Sequence, residues 1–302
     1  MDNDEFDPPA GVAEPLGDGI RRILAPNPSP MTWRGTNTYL LGRRDVAVID
    51  PGPDIPAHLA AILGALGPGQ RITHVFVTHS HVDHSPLAAR LARETGARVL
   101  GFGPSGTGRS AIMRELAARG LSRAGEGIDA RFHPDERLDD GARIEGEDWA
   151  LTAHWTPGHL GNHLCFCFGD VVFTGDLVMG WASSLVSPPD GDLSDFMASC
   201  RRLKALPARV FHAGHGAPIT DPAGRLDWLI AHRQTRERAI LEALSRGPAD
   251  IKALTDVIYA DTPAALHPAA RRNVLAHLVD LTQKNLVIPE RELDQDAIFR
   301  LA

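Results

Sequence analysis

Apolar positions recur along this chain with two different periods, and the change between them divides the sequence. Up to about residue 220, short β-branched and aromatic runs are interleaved with helical stretches. Ile20–Leu24, Asn37–Leu41 and Val46–Asp50 read as strands, the last two joined by a turn at Gly42-Arg43-Arg44. Asp50-Pro51-Gly52-Pro53 stops that run. Pro56–Leu66 carries apolar residues at helical spacing, with proline in the first turn, where its missing N–H is not needed. Ile72–Val77 is again a strand, Ser85–Glu94 a helix closing at Gly96, and Val99-Leu100 the start of another strand. Ser110–Ala118 reads as a helix inside a turn-rich stretch. Trp149–Trp155, His163–Phe168 and Val171–Thr174 read as strands, the last two a hairpin across Gly169-Asp170, a pair suited to a two-residue primed turn. Leu193–Leu206 is an amphipathic helix and Arg209–Phe211 a strand. This order predicts an α/β fold of packed sheets with helices outside, not a strictly alternating parallel sheet.

Near residue 225 the pattern turns helical. Leu226–Ser245, Ile251–Tyr259 and Pro268–Lys284 are helices broken by Gly247-Pro248 and Thr262-Pro263, and Leu286–Pro289 with Ala297–Leu301 forms a hairpin. Three helices followed by a hairpin is the outline of a winged helix. Residues 1–19, acidic and rich in Pro and Gly, read as a loose lead-in. The expected organisation is therefore 1–19 lead-in, 20–224 catalytic domain and 225–302 helical domain.

Composition narrows the function classes. The 302 residues are 43% hydrophobic and 23% charged, with a net charge of −7, which gives no general attraction to nucleic acid or anionic membrane. The start lacks the basic and apolar segments of a secretory signal, and no apolar run is long enough to span a bilayer, so the expectation is a cytoplasmic protein without a membrane partner. The three cysteines do not make a disulfide framework; Cys165 and Cys167 share one strand face and are expected to be buried thiols.

The chemistry sits in the fourteen histidines. Thr78-His79-Ser80-His81-Val82-Asp83-His84 packs four potential ligands into a turn between a strand and a helix. Such a turn can aim His79 and His81 at one point and Asp83 and His84 at another, which a regular helix cannot do for residues two apart. Neutral imidazole and carboxylate are good zinc ligands. His159 after Pro157-Gly158, Asp176 after Thr174-Gly175 and His215 after Ala213-Gly214 each follow a strand. Singly these are unremarkable; together they place ligands at successive strand ends.

With Asp50, the His79–His84 cluster, His159, Asp176 and His215 in this order, residues 20–220 resemble the metallo-β-lactamase superfamily. The resemblance implies a four-layer αβ/βα sandwich with the site at one edge. It puts His79, His81 and His159 on a first metal, Asp83, His84 and His215 on a second, Asp176 between them, and Asp50 behind a ligand histidine. It also implies a dinuclear hydrolase with two Zn²⁺ per chain, for which Mn²⁺ or Fe are alternatives, and a metal-bridging hydroxide as the nucleophile. The bridging Asp176 is absent from true zinc β-lactamases, so antibiotic hydrolysis is not the expected task.

Thr36–Leu40, the stretch from Thr174 to Leu193 and the helical C-terminus resemble, within the superfamily, the beta-lactamase-like protein 2 group, which has a winged-helix-like C-terminal domain. That resemblance implies cleavage of single-stranded RNA. The alternatives are a glyoxalase II-like hydrolase of thioesters or other acyl esters and, third, a mononuclear iron sulfur dioxygenase, against which the complete second ligand set argues. From His232 to the end there are ten Lys/Arg and ten Asp/Glu, which favours a domain packed on the catalytic core or on a homodimer partner over one that binds phosphates. Asp83 and His163 are the candidate catalytic residues. Asn37, Trp181, Ser183 and Ser184 are the candidate cleft-lining ones. His58, His74, His133, His154, His212, His232, His267 and His277 are expected to be surface or packing residues.

Overall fold

The computed structural model describes residues 5–121 and 127–302. Two sheets face each other. The first has seven strands in chain order: β1 (Ala13–Gly17), β2 (Ile20–Leu24), β3 (Asn37–Leu41), β4 (Asp45–Ile49), β5 (Arg71–Phe76), β6 (Arg98–Gly101) and β7 (Glu136–Arg137). The second is ordered β12 (Val210–Ala213), β11 (Val171–Gly175), β10 (Leu164–Phe168), β9 (Ala150–Trp155), β8 (Arg143–Glu145).

Alternation along each strand builds the layers. Tyr39, Leu41, Ala47, Ile49 and Phe76 point inward to meet Leu151, Ala153, Leu164, Phe166 and Phe173 of the facing sheet. Their neighbours Leu40, Val46, Val48 and Val75 point outward against α1 (Pro56–Gly64) and α2 (Ala88–Thr95). On the far side Cys165, Val172 and Phe211 pack on α4 (Leu193–Lys204) and on the start of α5 (Pro222–Leu244). The result is the expected helix–sheet–sheet–helix sandwich. The Gly169-Asp170 turn is as the pattern predicts: Phe168 pairs with Val171 and Gly169 has φ 59.

Two parts differ from the sequence reading. Ala13–Gly17 is an edge strand paired antiparallel with β2, and Phe6 is fully buried, so the segment expected as a loose lead-in is built into the sheet. Apolar surface on the first sheet and the ring of Trp33, stacked 5.6 Å from Phe6, give that segment something to bury against. Second, α5 starts four residues before the expected Leu226, because Asp221 caps it by accepting from Gly224 N and Pro222 occupies the first turn.

The boundary expected at 224/225 thus falls inside one continuous helix. Leu226 and Leu229 of α5 belong to the sandwich core, Ile240 and Leu244 to a second core formed with α6 (Ile251–Ile258) and α7 (His267–Gln283). α3 (Ala111–Ala118), capped by Ser110, reaches across and buries Met113 and Leu116 in that second core. A three-stranded sheet, β13 (Ala249–Asp250), β15 (Ile298–Leu301), β14 (Val287–Pro289), completes the C-terminal winged helix.

Candidate metal centre

β4, β5, β9, β11 and β12 each deliver a candidate residue just beyond the strand end: Asp50, His79, His159, Asp176 and His215. After β5 the chain turns sharply. His84 N donates to His81 O at 3.0 Å, and Val82 N to Gly127 O at 2.7 Å, so backbone bonds hold the turn open toward the edge of the sandwich. Asp50 fixes it from behind. Its Oδ1 accepts from Thr78 N (2.7 Å), and its Oδ2 from Thr78 Oγ1 (2.7 Å) and His84 Nδ1 (2.9 Å). Thr38 Oγ1 donates to Asp50 O and is itself bonded to His58 Nε2 at 2.8 Å.

These bonds assign the histidine lone pairs. Thr78 Oγ1 spends its proton on Asp50, so it accepts from His79 Nδ1 at 2.9 Å, and Nε2 of His79 is left as a lone pair. His159 Nδ1 donates to Leu185 O at 2.7 Å, which leaves its Nε2 a lone pair as well. Both lone pairs converge on Nδ1 of His81, at 2.9 and 3.1 Å. One proton serves one of these contacts; a cation serves all three nitrogens. Asp176 Oδ2 stands 3.8 Å from His159 Nε2 and completes a group of four.

The second group is Asp83, His84, Asp176 and His215. His215 Nδ1 donates to Gly35 O at 3.0 Å, turning Nε2 toward Asp83 Oδ2 (3.2 Å) and Asp176 Oδ2 (3.3 Å). His84 Nε2 lies 3.4 Å from Asp83 Oδ2 and 3.5 Å from Asp176 Oδ1, yet neither Nε2 nor that Oδ1 makes a hydrogen bond although both are buried. Gly214 makes this approach achievable: a Cβ there would stand 2.4 Å from Asp176 Oδ1 and 2.7 Å from His84 Cε1. A zinc ion with ligands at about 2.0–2.2 Å in a tetrahedron spaces its ligand atoms about 3.3–3.6 Å apart. In both groups the donor atoms lie within 4.8 Å of one another, so the residues present fit divalent cations.

The two groups differ in charge state. Burial, with His84 and His81 nearby, holds His79 well below the ordinary imidazole value; burial and His159 push His81 down to about 3, and burial lowers His159. In the second group burial opposes a charge on the imidazoles but is outweighed. Asp83, Asp176 and Asp50 raise His84 well above its usual value, and Asp176 with Asp83 raises His215 to about 10. The carboxylates of Asp83 and Asp176 are correspondingly held far down by His84 and His215, against the effect of burial.

Other residues expected at the site fall elsewhere. His163 is fully buried behind His79, ring centroids 5.2 Å apart, bonded to Thr156 Oγ1 at 3.0 Å, and stands outside the lining of the cleft that opens on the two groups. Asn37 is also buried: its amide donates to Ala213 O and Gly216 O, anchoring the His215 loop. Trp181 stacks on Trp33 at 5.6 Å, and Ser184 donates to Leu177 O. Ser183 is half-buried beside them and does not line the cleft. A cleft of 280 Å³ opens on the two groups, and its apolar wall is Met31, Val82, Met179 and Leu185. The sequence reading missed this wall; the one signal open to it was an apolar residue, Val82, set between the ligand candidates His81 and Asp83, and the structure leaves that side chain 47% exposed. His58, expected to be a packing residue, stands behind Asp50 through Thr38. Cys165 is buried and Cys167 half-buried, and burial raises both thiols, as expected of inert cysteines.

A sequence model of the metallo-beta-lactamase superfamily matches residues 31–215, which holds every ligand candidate. The chain belongs to the metallo-beta-lactamase superfamily. As a hydrolase of this superfamily it carries a His/Asp metal-binding cluster, and residues 251–295 match the beta-lactamase associated winged helix domain. It is 31% identical to a beta-lactamase-like protein 2 homolog of Drosophila melanogaster, over 93% of this chain and 94% of that one. It is 30% identical to an atrochrysone carboxyl ACP thioesterase of Aspergillus fumigatus, over 88% of this chain and 77% of the relative. Among solved structures, a metallo-beta-lactamase family protein of Thermus thermophilus superposes with a TM-score of 0.75 at 26% identity, covering 95% of this chain and all of that one. No helix of the described residues is long and apolar enough to cross a membrane.

Proposed function

We propose that this metallo-beta-lactamase superfamily chain hydrolyses acyl thioesters, or acyl esters of similar size, at a centre of two divalent cations. The observation that carries the reading is the cleft: a 280 Å³ cavity over both ligand groups, walled by Met31, Val82, Met179 and Leu185, with no lysine or arginine among the described residues that line it. An apolar wall beside convergent polar groups suits an acyl chain. A polynucleotide asks for cations to meet its phosphates, and the helical C-terminal region from His232 onward balances ten basic against ten acidic residues. The thioesterase named among the relatives is consistent with the acyl reading.

His79, His81, His159 and Asp176 would hold one cation, and Asp83, His84, His215 and Asp176 the other. Zinc is the first expectation, and manganese or iron suits the same donors. Bound there, such a pair supplies Lewis acidity toward the scissile carbonyl and lowers the pKa of water to about 7. The protein supplies position. Asp83 is the more exposed of the two carboxylates, 21% against 9% for Asp176, and meets both His84 and His215 through Oδ2. Its Oδ1 is assigned to orient the attacking water, accept the proton it loses and pass that proton to the departing thiolate. The apolar wall excludes bulk water from the acyl group.

The test is a pair of assays on zinc-loaded protein, one with S-acyl pantetheine thioesters and one with end-labelled single-stranded RNA, each beside an Asp83→Ala/His84→Ala double variant. Thioester turnover by the wild type alone is the expected result. RNA cleavage by the wild type alone, with thioesters left intact, would replace the acyl reading with a phosphodiesterase.

A further inference from the structure

The segment 184–188 runs past the metal centre without belonging to any helix or strand, so its backbone polar groups must find partners elsewhere. Leu185 is its working residue. The side chain lines the cleft, and the carbonyl oxygen takes the Nδ1 proton of His159, which fixes the tautomer and the ring direction of that ligand. The preceding peptide group, through Ser184 O, and the carbonyl's own peptide group, through Val186 N, are held by the C-terminal helices. Arg233 of α5 donates through Nη2 to Ser184 O and through Nη1 to Asn273 Oδ1 at 2.9 Å. Asn273 of α7 accepts from Val186 N with the same Oδ1 at 3.1 Å. Arg272 donates from Nε to Ser187 Oγ at 2.9 Å and from Nη2 to Pro188 O.

Arg233 is 1% exposed, and no ion pair with a carboxylate is found for it among the described residues; it rests over the Phe196 ring at 5.2 Å. Burying a guanidinium without a counter-charge is costly unless its donors are well used. Here two of them are spent on Ser184 O and Asn273, on either side of Leu185. A planar fork reaches two acceptors at once, which a lysine ammonium does not do in the same geometry.

We propose that Arg233, Asn273 and Arg272 are positioning residues of the metal centre: by clamping 184–188 they hold the Leu185 carbonyl against His159, so the C-terminal domain sets the affinity of the His79–His81–His159 group. The second group has no such dependence, since His84 leans on Asp50 and His215 on Gly35 O. This inference rests on reading the first group as a metal site and is independent of which substrate the centre cleaves.

The experiment titrates the metal-free full chain with zinc against a chromophoric chelator, and with cobalt(II) followed by its absorption, for the wild type, Asn273→Ala, Asn273→Asp and Arg233→Lys. Asn273→Ala should weaken one of the two equivalents by about tenfold, the lower end of what loss of an outer partner costs a ligand, and leave the other unchanged. Asn273→Asp keeps the acceptor for both Val186 N and Arg233 and should restore the affinity. Arg233→Lys should behave like Asn273→Ala; should it fail to fold, the half-buried Asn273 carries the test alone. A folded Asn273→Ala chain with a lowered melting temperature but wild-type affinity at both sites would overturn the proposal, as would equal losses at both. A wild-type chain that takes up no metal would overturn the reading of the centre together with it.

Discussion

The two ligand groups share Asp176 and lie side by side, yet they are supported from different parts of the molecule. The first is imidazole-rich and desolvated, its imidazoles held neutral by burial, and its His159 is oriented by a carbonyl that the C-terminal helices hold. The second is carboxylate-rich, its histidines charged by Asp83 and Asp176, and its supports, Asp50 and Gly35 O, come from the N-terminal half of the chain. A site built on two independent scaffolds can be taken apart one half at a time.

The largest effect should come where the halves meet. Asp176→Ala removes the shared carboxylate; metal content measured by mass spectrometry should fall at both positions and kcat/KM by on the order of 10³-fold, about 4 kcal/mol of lost transition-state stabilisation. Retention of one full metal equivalent would show that the halves do not depend on Asp176 equally. Next, Asp50→Asn keeps the shape but withdraws the negative charge behind His84. Metal affinity should drop about 10–100-fold at the second position only, and a parallel drop at the first would mean that Thr78 transmits Asp50's influence to His79 as strongly as the direct bond does to His84.

Proton release sharpens the contrast further. In the metal-free chain His84 and His215 have raised pKa values, so their ion pairs contribute stability fully present below the unfolded value of 6.5 and lost as pH rises through about 10 for His215. Metal uptake at pH 7.5 must displace those protons, whereas the first group has none to lose. Calorimetry in buffers of different ionisation enthalpy should therefore show protons leaving with one equivalent and not with the other, and equal release from both would sink the distinction. The smallest effect concerns His58, whose pKa burial lowers to about 4. A depressed histidine binds protons preferentially in the unfolded chain, so stability declines as pH falls from 6.5 toward 4. His58→Gln should flatten that part of the melting-temperature profile by a few degrees.

How much of this was legible in the sequence follows from what is local. Strand ends and His/Asp identity are written residue by residue, and the structure brings all seven ligand candidates together. The layers were legible too, from the order of strands and helices and from the resemblance to the superfamily, but β4 and β10 are apolar on both faces, so which side each of their residues takes was not. Backbone carbonyls leave no such trace: nothing in the letters at Gly35 or Leu185 says that they orient His215 and His159. Asn37, Trp181 and Ser183 lie close to motif residues along the chain but point elsewhere, into the His215 loop for Asn37 and onto Trp33 for Trp181. The N-terminal strand was hidden because Pro and Gly suggest a loose chain, while pairing with β2 and burial of Phe6 are long-range.

The matched sequence families cover residues 31–215 and 251–295, and α5 fills most of the interval between them. A helix of 23 residues is a rod of about 34 Å, and this one is glued at its two ends to two different cores. For anyone recombining such modules, the junction has no neutral place to cut. A chimera joined at the family edges would splice a foreign rod between cores that this one links, whereas a graft of 222–302 as a unit keeps the rod whole, brings Arg233, Arg272 and Asn273 with it, and needs a host that supplies the partners of 184–188 and of α3.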